Sequence, residues 1–281
     1  MPQLEPAPLL RGEIEEALDA AGHLDDRAID LAGIALLFAA LDRPGVSLVR
    51  YRHHLDDLVA GVRDAQAGSA LEAAAALQRV FGERFGYDGD RLTYDDPQNA
   101  NLMRVIDRRK GLPVALGILF THAARGAGFA LDGLAFPGHF LVRLETKGER
   151  VILDPFNGGR VMEIMELRRL VKQMMGPDQE LTPALTDTVG NRAVLLRLQN
   201  NLKTRAQGQG DVERVAFLAR SMLRLVPDDA ALWLEYGQAE KHLGRLGAAK
   251  AALEACLEHS LDGYQTIEAQ RLLQALRLAL N

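Results

Sequence analysis

The sequence predicts a mainly helical α+β fold, made of an N-terminal helical region, a middle region with a small antiparallel sheet, and C-terminal helix pairs. Three observations predict it. Apolar residues recur at helical spacing in the first region, short apolar runs alternate with turns in the middle, and the last region repeats every 34 residues. We divide the chain into a domain at 1–182 and a second domain at 183–281.

The first region carries apolar residues three and four positions apart from Glu13 to about Gly86, the spacing of helices that bury one face. Pro44-Gly45 and Gly61 are expected to separate these helices, because proline and glycine interrupt helical structure. Further along, Asn99 or Asn101 is expected to cap the start of a short helix.

The middle region begins with Pro113, a residue that the first turn of a helix tolerates. A nearly all-apolar stretch follows to Gly126 or Gly128, so the predicted helix must be buried. Three short strand-like runs come next, at 129–136, 140–144 and 151–153, with a polar turn at 145–149.

The third region shows its repeat when the chain is shifted by 34 positions. Leu198, Gly210 and Leu223 then coincide with Leu232, Gly244 and Leu257. Paired helices with this period resemble the tetratricopeptide repeat, and about two units fit, followed by an apolar capping helix at 265–280. Trp233 and Tyr236 stand near the positions expected of the repeat, and we take them as candidate binding residues.

Composition excludes several classes of protein. The chain has 33 basic and 38 acidic residues, a net charge of −5, so no overall basic field attracts nucleic acid or an anionic membrane. Its longest apolar run, at 31–41, is about half the length of a membrane helix, and we predict a cytoplasmic protein. One cysteine excludes an internal disulfide and a multi-cysteine metal site, and we expect no metal and no cofactor.

Two other groups of residues invite a functional interpretation. Adjacent side chains on a helix point about 100° apart, so His53-His54 is predicted at the surface or its boundary rather than as a metal site. The basic cluster Arg104, Arg108, Arg109 and Lys110 is interpreted as a solvated face rather than a phosphate site.

His139 and Asp154 lie on the two arms of the predicted hairpin. If they face each other, the turn is centred near Thr146 and Lys147, inside the polar segment, and the two side chains can meet. A carboxylate beside an imidazole is the base and orienter of a nucleophilic triad, and it is equally a structural hydrogen bond between two strands.

A triad also needs a nucleophile, which is expected at the start of the buried helix, where exposed amides stabilise a thiolate. Residues 111–115 contain none. Thr121 lies about 12 Å further along the helix, and Cys256 is on an apolar face of the repeat region.

Four ordered motifs strongly resemble the bacterial SirB-type family, which joins a transglutaminase-like, papain-related core to C-terminal tetratricopeptide repeats. The motifs are Tyr94-Asp95-Asp96-Pro97-Gln98-Asn99-Ala100-Asn101-Leu102, Arg108-Arg109-Lys110-Gly111-Leu112-Pro113, Phe136-Pro137-Gly138-His139-Phe140-Leu141-Val142-Arg143 and Leu153-Asp154-Pro155-Phe156-Asn157-Gly158-Gly159. The resemblance covers residues 25 to 270 approximately.

This resemblance implies that Pro113 occupies the position of the catalytic cysteine, His139 that of the general base and Asp154 that of its orienter. We therefore favour a non-catalytic scaffold whose partner is a protein or peptide, with regulation as a candidate role. Its candidate binding residues are His139, Asp154, Asn157, Gly158, Trp233 and Tyr236.

The alternative is a hydrolase or acyltransferase of the peptidase or amidase kind, in which His139 and Asp154 act with water or a nucleophile other than cysteine. Whether the chain is an enzyme therefore stays open, although the proline at position 113 argues against it. A role that involves nucleic acid is disfavoured by the charge, and the oligomeric state is left open.

Overall fold

The computed structural model describes residues 7–261 and 263–280, with side chains as far as residue 277. The chain forms two compact units. The first contains residues 7–14 and 25–198, and the second contains residues 15–24 and 199–280. Within these described ranges, no helix combines the length and the apolar character needed to cross a bilayer.

The N-terminal region is helical as predicted. Its helices are α1 (Arg11–Gly22), α2 (Leu31–Leu41), α3 (Val49–Asp64) and α4 (Ala70–Gln78). A π-helical turn at Arg79–Arg84 continues α4. Gly61 does not end a helix as we predicted, because it lies inside α3, where a Cβ atom would come 3.1 Å from the Val80 side chain. This glycine permits close packing rather than a break.

Two short parallel strands flank the next helix. They are β1 (Asp88–Gly89) and β2 (Lys110–Gly111), with α5 (Leu102–Arg108) between them in sequence. Asn101 caps α5, and its side chain accepts a hydrogen bond of 3.1 Å from the Arg104 amide. The helix α6 (Pro113–Gly126) follows, and it is buried along almost its whole length, which confirms the prediction from its apolar sequence.

An antiparallel sheet of four strands follows α6. The strands are β3 (Ala130–Gly133), β4 (Val142–Thr146), β5 (Glu149–Asp154) and β6 (Arg160–Val161), in that order across the sheet. Lys147 and Gly148 form the turn between β4 and β5, with φ of 50° and 80°, the left-handed conformation that a two-residue hairpin turn requires.

The register of this hairpin differs from our prediction. Val142 pairs with Leu153, so His139 is not the cross-strand partner of Asp154 and lies in the loop before β4. The reason is the tight turn at Lys147-Gly148, which shifts the centre of the hairpin by one residue and the pairing of Asp154 by two.

The remaining elements are helices. They are α7 (Ile164–Met175), α8 (Asn191–Gly208), α9 (Val212–Leu223), α10 (Ala230–His242), α11 (Leu246–His259) and α12 (Tyr264–Leu280). Gly210 and Gly244, which coincide in the 34-residue repeat, both follow a helix with φ near 70°. In the second unit α9 packs on α10, α10 on α11 and α11 on α12. This helical arrangement suits the predicted repeat, whose assignment to the tetratricopeptide class stays a prediction.

Candidate functional site

A histidine and an aspartate form the centre of the candidate site. His139 Nε2 lies 3.0 Å from Asp154 Oδ1, the hydrogen-bonding distance that we expected from the sequence. The Asp154 side chain is 2% exposed and that of His139 is 15% exposed. The pair is therefore shielded from solvent on the aspartate side and accessible on the histidine side.

The Asp154 carboxylate is held by several donors besides His139. It caps a short 3-10 helix at Pro155–Asn157 and accepts hydrogen bonds from the amides of Phe156 and Asn157 at 3.1 and 3.3 Å. The Asn157 side chain donates to the second carboxylate oxygen at 2.6 Å. Burial raises the pKa of Asp154, but hydrogen bonds from His139 and Asn157 and the charge of His139 outweigh it, so the pKa lies below its ordinary value.

This environment orients the imidazole. An ionised Asp154 only accepts hydrogen bonds, so His139 donates through Nε2 and its Nδ1 is the acceptor in the neutral ring. The same arrangement orients the base in a nucleophilic triad and also ties the loop before β4 to the end of β5.

Pro113 is the first residue of α6 and is buried. Gly117 lies on the same helix face one turn further on, and the Phe140 ring packs against it so closely that a Cβ atom would lie 2.3 Å from Cε1. Because Phe140 directly follows His139, the start of α6 and the histidine loop belong to one neighbourhood.

Arg197 in α8 positions the histidine loop and was not identified from the sequence. Its guanidinium donates to the carbonyl oxygens of Phe136 and His139 at 3.3 and 2.9 Å, and Cζ lies 5.3 Å from the Phe140 ring centroid. These bonds go to main-chain atoms of residues about 60 positions earlier. Nothing in the local sequence of α8 indicates such a partner.

Phe156 forms an aromatic rim beside the pair. The rings of His139 and Tyr94 meet it edge-on, with centroids 6.2 and 5.8 Å away, and Arg91 lies 5.1 Å from its centroid. Arg91 also donates to the Asn157 side-chain oxygen at 2.8 Å. Tyr94 opens the first of the four motifs, which is the sequence feature that marks this rim, whereas Arg91 precedes the motif and was missed.

The predicted binding residues of the core lie on this same segment. Asn157 is exposed, and Gly158 follows it half-buried with a φ of 69°, a conformation that glycine adopts without strain. A Cβ atom on Gly158 would meet no atom within 4 Å, so open space lies beside its backbone.

The basic cluster is not simply a solvated face, which corrects our interpretation. Arg108 donates to the buried Asp90 at 2.7 Å and to the Asn99 side-chain oxygen at 2.8 Å. Hydrogen bonds from Thr93 and Arg108 outweigh burial and hold the pKa of Asp90 below its ordinary value. These contacts join the end of α5 to the segment that follows β1.

His54 is buried as well, although we predicted the surface or its boundary. Its Nε2 lies 2.9 Å from the Tyr87 hydroxyl and 2.7 Å from Arg109. Burial and the Arg109 charge lower the pKa of His54 to about 4 against a weaker opposing effect of Asp57. The ring is therefore neutral at physiological pH.

The candidate residues of the repeat region lie in the second unit. Trp233 and Tyr236 have ring centroids 6.2 Å apart, and the Trp233 indole donates to the Pro227 carbonyl at 2.7 Å. Cys256 is fully buried, which raises the pKa of its thiol and removes it as a reactive group.

Comparison with known proteins identifies a family for this chain. The family model of the transglutaminase-like superfamily matches residues 49–200. A UPF0162 protein of Xylella fastidiosa (strain 9a5c) is 32% identical over 249 residues, which covers 85% of this chain and 89% of that protein. Protein SirB1 of Salmonella typhimurium is 25% identical over 159 residues, 56% of this chain and 59% of its own length. F-box only protein 21 of Homo sapiens is 27% identical over 180 residues, 60% of this chain and 28% of that protein.

The match over residues 49–200 includes α6, the sheet and the His139–Asp154 pair, so the first unit contains a transglutaminase-like core. The chain belongs to the transglutaminase-like superfamily and, within it, to the SirB-type family of UPF0162 proteins.

Proposed function

We propose that this chain is a non-catalytic transglutaminase-like protein that binds a protein or peptide partner. One observation carries the proposal: the start of α6, where the superfamily resemblance places a nucleophile, is a buried proline, while the His139–Asp154 pair is intact at 3.0 Å.

Proline cannot replace a nucleophile, since its ring has no thiol or hydroxyl group. Thr121 is two turns further along α6, about 12 Å from the helix start, and Cys256 is fully buried in the second unit. Loss of the nucleophile alone removes nearly all catalysis by a triad. The remaining histidine and aspartate therefore suit recognition and structure better than acyl transfer.

The segment after Asp154 suits a peptide. Asn157 is exposed and Gly158 leaves open space beside its main chain, so an extended strand can approach closely enough for hydrogen bonds between backbones. His139 contributes a polar ring edge at the same place, next to the aromatic rim of Phe156. Trp233 and Tyr236 offer a second, aromatic surface on the helical unit.

A turnover assay tests the proposal against a hydrolase or acyltransferase. The full chain is incubated with a panel of peptide, amide and acyl-donor substrates, in parallel with His139→Ala. We expect no turnover above that of the His139→Ala variant. Turnover that this substitution abolishes would instead establish an enzyme in which water or another nucleophile acts with His139 and Asp154.

Capture of a partner from native lysate tests the binding role separately. We expect a protein retained by the wild-type chain to be lost with Asn157→Asp, which places a like charge beside Asp154, and to be kept with Gln98→Glu, at another exposed amide. Equal retention by both variants would exclude the segment after Asp154 as the binding surface.

A further inference from the structure

A groove of about 550 Å³ crosses the second unit. Its lining includes Arg220, Arg224, Trp233, Tyr236, Ala248 and Ala251. The volume lies in the range of known ligand sites. The groove exists because α11 presents alanines three and four residues apart along one face, where larger side chains would fill the space.

The groove is lined by two arginines and by Asp19, and the two arginines differ in their partners. Arg224 is engaged by two carboxylates, Glu15 at 2.5 Å and Asp19 at 2.6 Å. Arg220 is exposed and forms no ion pair with any residue in the described part of the chain, and it lines the groove together with Tyr236, whose hydroxyl pKa it lowers. A guanidinium without an acidic partner therefore stands at the edge of an apolar surface.

Tyr236 strengthens the preference for an anion. Burial and the nearby Glu240 raise the pKa of the Tyr236 hydroxyl more than Arg220 and Arg245 lower it. The hydroxyl keeps its proton and can donate to a carboxylate beside the Arg220 guanidinium. Such hydrogen bonds with an ionised partner are among the strong ones in proteins.

We propose that this groove binds a segment of a partner protein in which a large apolar side chain adjoins an aspartate or glutamate. The apolar side chain lies against Trp233 and the alanines of α11, and the carboxylate binds Arg220 and Tyr236. This inference rests on the proposed binding role and adds the chemistry of the partner and the surface that it occupies.

The single tryptophan of the chain provides the measurement, because Trp233 lines the groove. Arrayed 12-residue peptides carry leucine or phenylalanine beside aspartate or glutamate. Two matched sets carry lysine in place of the acids or serine in place of the apolar residues. We expect the strongest binder to come from the first set and to shift Trp233 emission saturably in the full-length protein.

Two substitutions then locate the peptide. Arg220→Ala is expected to weaken binding about tenfold, as for the loss of one hydrogen bond to a charged group. Ala251→Leu, at an exposed position, is expected to weaken it similarly by filling the groove. The controls are Arg271→Ala, at an arginine outside the groove, and Ala231→Leu, at another exposed alanine, and both should bind normally.

Equal binding of the lysine set, or an affinity unchanged by both groove substitutions, would overturn the proposal. A second outcome would also overturn it. If Trp233 emission shifts with protein concentration in the absence of peptide, and sedimentation shows a dimer forming over the same range, the occupant is a second copy of the chain. A failure here leaves the turnover result unaffected, so the two proposals are judged by separate outcomes.

Discussion

At the scale of single residues, Asp154 explains why the histidine and aspartate of a triad can be present where the nucleophile is absent. Its buried carboxylate accepts hydrogen bonds from His139, from two backbone amides and from the Asn157 side chain. Removing such a group leaves these donors without a partner in a shielded environment. Asp154 is therefore required by the fold whether or not any reaction takes place.

Replacement of Asp154 by alanine tests this structural role. We expect a loss of about 2 to 4 kcal/mol in the free energy of unfolding, because several buried donors lose their acceptor. Urea denaturation measures this loss of stability. Glu254→Ala, which breaks an exposed ion pair with Lys250 in α11, should change stability by less than about 0.5 kcal/mol. Similar small losses for both variants would contradict the role assigned to Asp154.

His54 predicts how stability responds to pH. Its pKa is about 4 in the folded chain and 6.5 when unperturbed, so between these values the unfolded state binds more protons. Stability therefore rises with pH over this range, by up to about 3 kcal/mol. The measurement is the free energy of unfolding from pH 4 to 7. His54→Gln should lose this rise with pH, and His53→Gln, at the exposed neighbouring position, should keep it. An unchanged slope in His54→Gln would exclude His54 as its origin.

At the scale of elements, the approach of the histidine loop to α6 depends on the absence of a side chain at Gly117. A methyl group there would overlap the Phe140 ring, and a well-packed interior resists such insertion.

Gly117→Ala is accordingly expected to destabilise the protein by about 1 to 3 kcal/mol, measured by thermal and urea unfolding. The same change at Gly247 in α11, where a Cβ atom would meet nothing within 4 Å, should be neutral or stabilising by about 0.5 kcal/mol. Equal effects at the two glycines would show that helix propensity, rather than the Phe140 contact, determines the cost.

The elements also show what the sequence can predict. Apolar periodicity located the buried helix α6. The predicted hairpin placed His139 near Asp154, and the two side chains do form a hydrogen bond. The register was wrong because a turn of two residues and one of four or five fit the same polar segment 145–149. Arg197 and Arg91 were missed because their partners are main-chain atoms or residues about 60 positions away, and no local pattern records such contacts.

At the scale of the whole molecule, the chain combines a transglutaminase-like core with a second, helical unit. Position 113 decides between scaffold and enzyme, and proline also suits the first turn of α6 there because no intrahelical partner is lost with its missing N–H. In the proposed function, the remaining His139–Asp154 pair orders the segment that a partner contacts.

The most direct test of this account is the ionisation of a thiol placed at that position. Pro113→Cys supplies a nucleophile at a helix start, where backbone amides favour the thiolate. Because Pro113 is buried, the measurement must not depend on access of a reagent, and the ultraviolet absorbance of the thiolate meets this condition. We predict that the thiolate of the folded Pro113→Cys variant persists to a lower pH than that of the Pro113→Cys, His139→Ala double variant, because a protonated imidazole stabilises it. The same pH dependence in the two variants would contradict the claim that Pro113 occupies the nucleophile position beside His139.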